Sequence, residues 1–181
     1  MWKNNLKIIE MKKWIVALLV MSSMAVTAQE KIQWMDFEEA MAACTVSPKK
    51  VFVDVYTDWC GWCKRMDQTT FQDPAVVKYM NENFYAVKFD AERADTVRFL
   101  GYEFVPGVSQ FGRKATHQLA AAMLQNKMSY PSYVIFNEKQ QVIQVIPGYQ
   151  EAKNFLPILH FFGDDAFVTK TWKEFLDDYQ K

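Results

Sequence analysis

The chain opens with an uneven distribution of polar and apolar residues. Lys12 and Lys13 precede an uncharged apolar run from Trp14 to Val20 that continues weakly to Val26, and Val26-Thr27-Ala28 ends it with small residues at the two positions a signal peptidase inspects. The run is too short for a membrane span, which needs about 20 residues. Charge, apolar core and cleavage site together predict a secretory signal peptide over residues 1–28, with Met11 as a possible true start. A buried helix is the competing reading, but the segment 14–20 is apolar all round. No cysteine directly follows Ala28, which argues against lipid attachment.

Beyond residue 28 the periodicity alternates between helix and strand. Apolar positions 34, 37, 40 and 41 predict a helix from Trp34 to Ala43, capped by Asp36 and ended by Ser47-Pro48. Val51 to Tyr56 is β-branched and aromatic between turn residues, so it predicts a buried strand containing one acid, Asp54. Asp73-Pro74 predicts a capped helix to about Asn81, and Phe84 to Phe89 a second strand. Residues 91–114 resist assignment, with Gly101, Pro106, Gly107 and Gly112 among four aromatics. A helix from Thr116 to Gln125 follows. Then come strands Tyr133 to Phe136 and Val142 to Ile146, joined by a hairpin at Asn137-Glu138-Lys139-Gln140. Last are helices from Glu151 to Phe162, containing Pro157, and from Thr169 to Tyr179. This order predicts one mixed sheet with helices on both faces, an α/β domain over residues 29–181.

Composition narrows the function. The 181 residues are 50% apolar, 15% aromatic and 23% charged, which describes one globular domain and excludes a disordered chain. Basic and acidic residues number 21 each, leaving no basic excess to neutralise phosphates, so nucleic acid is not an expected partner. Removing residues 1–28 takes away four lysines and one glutamate, so the remaining chain carries a net charge of −3. Three cysteines are too few for a disulfide-stapled miniprotein.

Two of the cysteines form Cys60-Gly61-Trp62-Cys63, placed between a strand and the start of a helix. A cysteine at a helix N-terminus faces unsatisfied N–H groups and the positive end of the helix dipole, and both favour thiolate. In such motifs the thiol pKa falls from about 8.5 to roughly 3.5–7.5. This makes Cys60 the candidate nucleophile and Cys63 the residue that resolves the mixed disulfide. A zinc site would need four ligands, and the chain offers one such pair, a distant Cys44 and two histidines, His117 and His160. Haem attachment would need a histidine where Lys64 stands, and an inert structural disulfide is a further alternative. Asp54 reads either as an exposed acid on an edge strand or as a proton relay to Cys63. Pro131, just before a strand, gives up a ladder hydrogen bond, and a cis Tyr130–Pro131 bond is one common use of such a position. Cys44 reads as a small buried apolar residue, and the two histidines as surface or internally satisfied helix residues. The aromatic segment 91–114 reads either as a loop packed on the core or as a specificity surface.

The segment Val53-Asp54-Val55-Tyr56-Thr57-Asp58-Trp59-Cys60-Gly61-Trp62-Cys63-Lys64 resembles the active-site segment of thioredoxin-fold proteins, and the order of elements is similar from about Lys31 to Phe162. With Phe71-Gln72-Asp73-Pro74 following, the likeness is to exported bacterial thioredoxin-like thiol:disulfide oxidoreductases. The resemblance implies a thioredoxin fold with an insert at about 91–114 and an extra C-terminal helix. It implies that Cys60 attacks, Cys63 resolves, Asp54 assists proton transfer and Lys88 supports Asp54. It also implies that Trp59, Gly61, Trp62, Tyr130 and a cis Pro131 meet the substrate, and that Gly148 ends the hairpin. Trp62 stands where thioredoxin itself has proline. No cofactor and no metal are implied. The expected partners are protein disulfides or dithiols and a redox partner protein, in the periplasm, with no membrane anchor once the signal is cleaved. A non-catalytic binding module with a structural disulfide is the competing function.

Overall fold

The computed structural model describes residues 30–108 and 115–181. The predicted signal segment 1–28 and the end of the insert, 109–114 with Phe111 and Gly112, lie outside the described residues.

Strands β1 (Trp34–Met35), β2 (Lys50–Tyr56), β3 (Phe84–Asp90), β6 (Ser132–Phe136) and β7 (Val142–Pro147) form one sheet in the order β1-β3-β2-β6-β7. β1, β3 and β2 run parallel, and β6 and β7 are antiparallel. The mixed central sheet and its helices are a thioredoxin fold. Central β2 is buried along almost its whole length, as its unbroken apolar run demands of a strand covered on both faces.

Alternation along the strands divides the core in two. Val51, Val53, Val55, Val87, Phe89, Val134 and Phe136 face α1 (Phe37–Val46) and α4 (Gln118–Met123), where Phe37, Cys44 and Leu119 are buried. Phe52, Ala86, Tyr133 and Ile135 face Met66 of α2 (Gly61–Gln68), Val76 and Met80 of α3 (Pro74–Asn83), and Phe155 and Leu159 of α5 (Ala152–Gly163). Each fully buried large apolar side chain stabilises the fold by about 1.5–3 kcal/mol. Cys44 belongs to this packing, its thiol 3.6 Å from the Glu138 carbonyl.

Local signals place the helix starts. The Asp36 carboxylate accepts from Glu38 N–H at 3.0 Å, and Asp73 accepts from Ala75 and Val76 N–H with Pro74 in the first turn. A capping box of Thr171 and Glu174 starts α6 (Trp172–Tyr179).

Three boundaries depart from the sequence reading. Trp34 and Met35 are not helical: they pair with Ala86 and Val87 as an edge strand, and the helix begins only after Asp36. The predicted helix from Thr116 to Gln125 shrinks to α4, because His117 is its N-cap, with Nδ1 accepting from Leu119 N–H at 3.1 Å. The last helix starts at Trp172 rather than Thr169, after a 3-10 turn over Ala166–Val168.

The insert contains a hairpin of β4 (Val97–Phe99) and β5 (Tyr102–Phe104), turned by Leu100 and Gly101 at φ 49° and 82°. Phe99 packs edge-on against Phe37 and Phe136, so this part of the insert covers the core. Ala91 N–H donates to Tyr56 O at 2.8 Å, and Ala91 O accepts from His117 N–H at 2.7 Å, which pins both roots of the insert to one buried residue. His117 is itself buried, its other ring nitrogen 3.1 Å from Asp95 O, and burial lowers its pKa.

Candidate active site

β2 ends at Tyr56, and a short turn in which Cys60 N–H donates to Thr57 O at 3.1 Å delivers Cys60 to the N-cap of α2. Cys60 and Cys63 are joined in a disulfide. Cys63 N–H donates to Cys60 Sγ at 3.0 Å, so the first-turn donor of the helix points at the sulfur that would carry negative charge after reduction. Both cysteines are almost fully buried, and the tryptophans beside them are not: Trp59 is 67% and Trp62 62% exposed.

These indoles are held in place. Trp59 Nε1 donates to Glu92 Oε1 at 2.9 Å, and its ring meets Tyr130 edge-on at 5.8 Å. Trp62 packs on Tyr149 at 5.1 Å. The Tyr130–Pro131 bond is cis, and Pro131 O accepts from Gly148 N–H at 2.8 Å, with Gly148 in the left-handed region at φ 95°. The loop before β6 and the end of β7 are thus tied together next to the tryptophans.

The charged group lies inside the sheet. Asp54 is 1% exposed and sits opposite Lys88 of β3 in the parallel register. Lys88 Nζ is 2.9 Å from Asp54 Oδ2, and the ammonium also pairs with Asp67 of α2. The ammonium is held to the buried Asp54 carboxylate by charge and at hydrogen-bond distance. Burial pushes the Asp54 pKa up from 3.8 to about 6, against the opposing pull of Lys88. For Lys88, burial pulls the pKa down, but the two carboxylates outweigh it and hold it above its usual value. The Lys88 ammonium also lies about 5 Å from the ring centres of Trp34, Tyr56 and Phe71.

The residues singled out in the sequence therefore fall into two groups. Cys60, Gly61, Trp62 and Cys63 form the turn into α2, with Trp59 and Tyr130 in ring contact beside it and Pro131 next in sequence. Asp54 and Lys88 pair in the sheet below the helical layer. Asp67, Glu92 and Tyr149 were not anticipated. Asp67 was within reach of the pattern, since it follows Cys63 by four residues on the same helix face. Glu92 and Tyr149 reach the tryptophans through folding of distant segments, which no spacing reports.

Residues 37–163 match the thioredoxin-like domain family. The chain is 33% identical over 86 residues to an uncharacterised protein of Caenorhabditis elegans, covering 47% of this chain and 12% of that protein. It is 40% identical over 50 residues to the thiol:disulfide interchange protein DsbD of Pseudoalteromonas atlantica, covering 28% of this chain and 8% of that protein. It thus spans about a tenth of the length of these relatives. Among solved structures, a Bacteroides thetaiotaomicron protein proposed to be a disulphide-isomerase superposes with a TM-score of 0.52 at 25% identity, covering 74% of this chain and 95% of that one.

Proposed function

The chain belongs to the thioredoxin-like domain family, and from that premise we propose that it is an exported thiol:disulfide oxidoreductase acting on protein substrates. The observation that carries this reading is the placement of Cys60 at the N-cap of α2, with Cys63 N–H directed at its sulfur, immediately after the strand that holds buried Asp54. A purely structural disulfide has no use for a carboxylate whose burial raises its pKa to about 6.

In the reduced protein the Cys60 thiolate attacks one sulfur of a substrate disulfide. A Cys60–substrate disulfide forms, the substrate S–S bond breaks, and the first substrate thiolate leaves and takes a proton. Asp54 accepts the proton of Cys63. The Cys63 thiolate attacks Cys60 Sγ, the mixed disulfide breaks, and the second substrate thiolate departs. The protein has then lost two electrons and the substrate gained two. A redox partner protein restores the dithiol by the same steps in reverse. Trp59, Gly61, Trp62, Tyr130 and Pro131 form the surface that meets the substrate, and Lys88 holds Asp54. The DsbD relative is named for thiol:disulfide interchange, which accords with this chemistry.

Export rests on the signal pattern of residues 1–28 and implies a periplasmic site of action. No helix among the described residues is long and apolar enough to cross a membrane. Cell fractionation with N-terminal sequencing tests this: a mature chain starting near residue 29 in the periplasmic fraction is expected, and an uncleaved cytosolic chain refutes export. The activity itself is tested by reduction of an insulin disulfide with dithiothreitol as electron source. Turnover that disappears in Cys60→Ser is expected. A native rate equal to that of Cys60→Ser refutes the enzyme and leaves a binding module.

A further inference from the structure

The first turn of α4 holds the insert at three points. His117 N–H donates to Ala91 O at 2.7 Å. Gln118 N–H donates to Val105 O at 3.1 Å, and Gln118 Oε1 accepts from Val105 N–H at 3.2 Å. The third point is the His117 ring. Its Nδ1 accepts from Leu119 N–H at 3.1 Å, which caps the helix, and so carries no proton. Nε2 therefore bears the ring hydrogen and donates it to Asp95 O at 3.1 Å. The ring is buried edge-on to Phe89 at 5.6 Å. Both nitrogens are thus committed in the neutral imidazole, and a second proton would fall on Nδ1, against the Leu119 N–H.

We propose that His117 is an acid-released latch: a proton on Nδ1 drives the ring from its site, uncaps α4 and loosens the hold of the helix on the β4–β5 hairpin. The charged groups that act on the ring are Arg93 and Asp95 of the insert, and Arg93 also pairs with Asp36 at the cap of α1. From β3 the ring meets only the Phe89 side chain, and α4 itself carries no ionisable residue. Burial lowers the His117 pKa below 6.5 and Arg93 adds to this, while Asp95 and the Phe104 carbonyl pull the other way without offsetting it. A released ring titrates near the usual 6.5, so acid favours the open form. The unlatched fraction should rise about tenfold for each pH unit below about 6.5, until the latched ring itself takes the proton. The latch reaches the active site because Glu92, next to Ala91, holds the Trp59 indole.

The test uses the full chain and follows amide hydrogen exchange between pH 5 and 7.5, corrected for intrinsic rates. The amides of His117, Gln118 and Leu119 should lose protection about tenfold per pH unit below about 6.5, relative to those of β2. His117→Asn keeps an oxygen to accept from Leu119 N–H and does not titrate, so its protection should not vary with pH. Nitrogen NMR of the native imidazole, which needs no variant, should show a neutral Nε2–H ring at pH 7.5. The indole N–H resonance of Trp59 should shift over the same acid range in the native protein and hold in His117→Asn. Protection that is flat with pH in the native protein, or equally pH-dependent in His117→Asn, overturns the latch, as does an Nδ1–H tautomer at pH 7.5. An indole resonance that stays in place while the latch opens overturns the link to Trp59.

Discussion

Lys88 sits directly opposite Asp54 across β3 and β2, 2.9 Å from its carboxylate, and shares its charge with Asp67 from the helix that carries the cysteines. One cation thus serves two acids, one inside the sheet and one at the end of α2. Burial still wins over this attraction at Asp54, whose pKa stays near 6 rather than falling below 3.8. The carboxylate is therefore poised to exchange a proton close to neutral pH, where a general base is most effective.

Replacing Asp54 by Asn should slow mixed-disulfide release at neutral pH by about 10²-fold or more, the usual scale of general acid–base help. It should also stabilise the fold. The folded-state pKa lies above the unfolded value of 3.8, so Asp54 favours folding below that value and loses this contribution as pH rises through about 6. Urea titrations should show Asp54→Asn more stable than the native protein by about 1–3 kcal/mol at pH 8, with little difference at pH 3.5. Equal stability at pH 8 would mean that the carboxylate is not desolvated.

Lys88→Met keeps an apolar stem and removes the charge. Asp54 then loses its cross-strand cation, and its pKa should climb by about one to three further pH units. The acid limb of the rate profile should follow it into the neutral range. A profile that stays in place would show that the ion pair does not act on the relay.

Glu92→Gln addresses substrate contact rather than proton transfer. It weakens the hold on the Trp59 indole from a charged to a neutral acceptor, and the expected loss is a rise in KM of about three- to tenfold with kcat kept. A fall in kcat with KM unchanged would contradict the placement of Trp59 in binding.

Alkylation of the reduced protein across pH should label Cys60 before Cys63, since the first-turn donor of α2 supports a thiolate at Cys60. Cys44, buried in α1 against the sheet, should react only on unfolding. Faster labelling of Cys63 would reverse the assignment of attacking and resolving roles.

Much of this architecture was legible because burial leaves a signature in composition. β2, β3 and β6 announce themselves as β-branched and aromatic runs between turn residues, and Asp36 and Asp73 mark helix starts by chemistry that acts within three residues. Trp34 and Met35 were misread because a two-residue edge strand has no period, while Trp34, Phe37, Ala40 and Met41 continue a helical one. β4 and β5 escaped because three residues on either side of Leu100-Gly101 cannot establish alternation. The site was legible where its members are close in sequence, as with Cys60, Cys63 and Asp54. It was illegible where folding brings distant residues together, as with Trp59 and Glu92.

The clamp at Ala91 has a consequence for engineering. Its N–H is tied to Tyr56 at the end of β2 and its carbonyl to His117 at the start of α4, so the chain leaves and re-enters the domain at a single closed gate. Glu92, which holds Trp59, stands on the first residue past that gate. The stretch from residue 93 to residue 116 can then be exchanged as a cassette provided that Val97, buried in the core, and Phe99, packed on Phe37 and Phe136, are kept, while β2, β3 and α2 stay as they are.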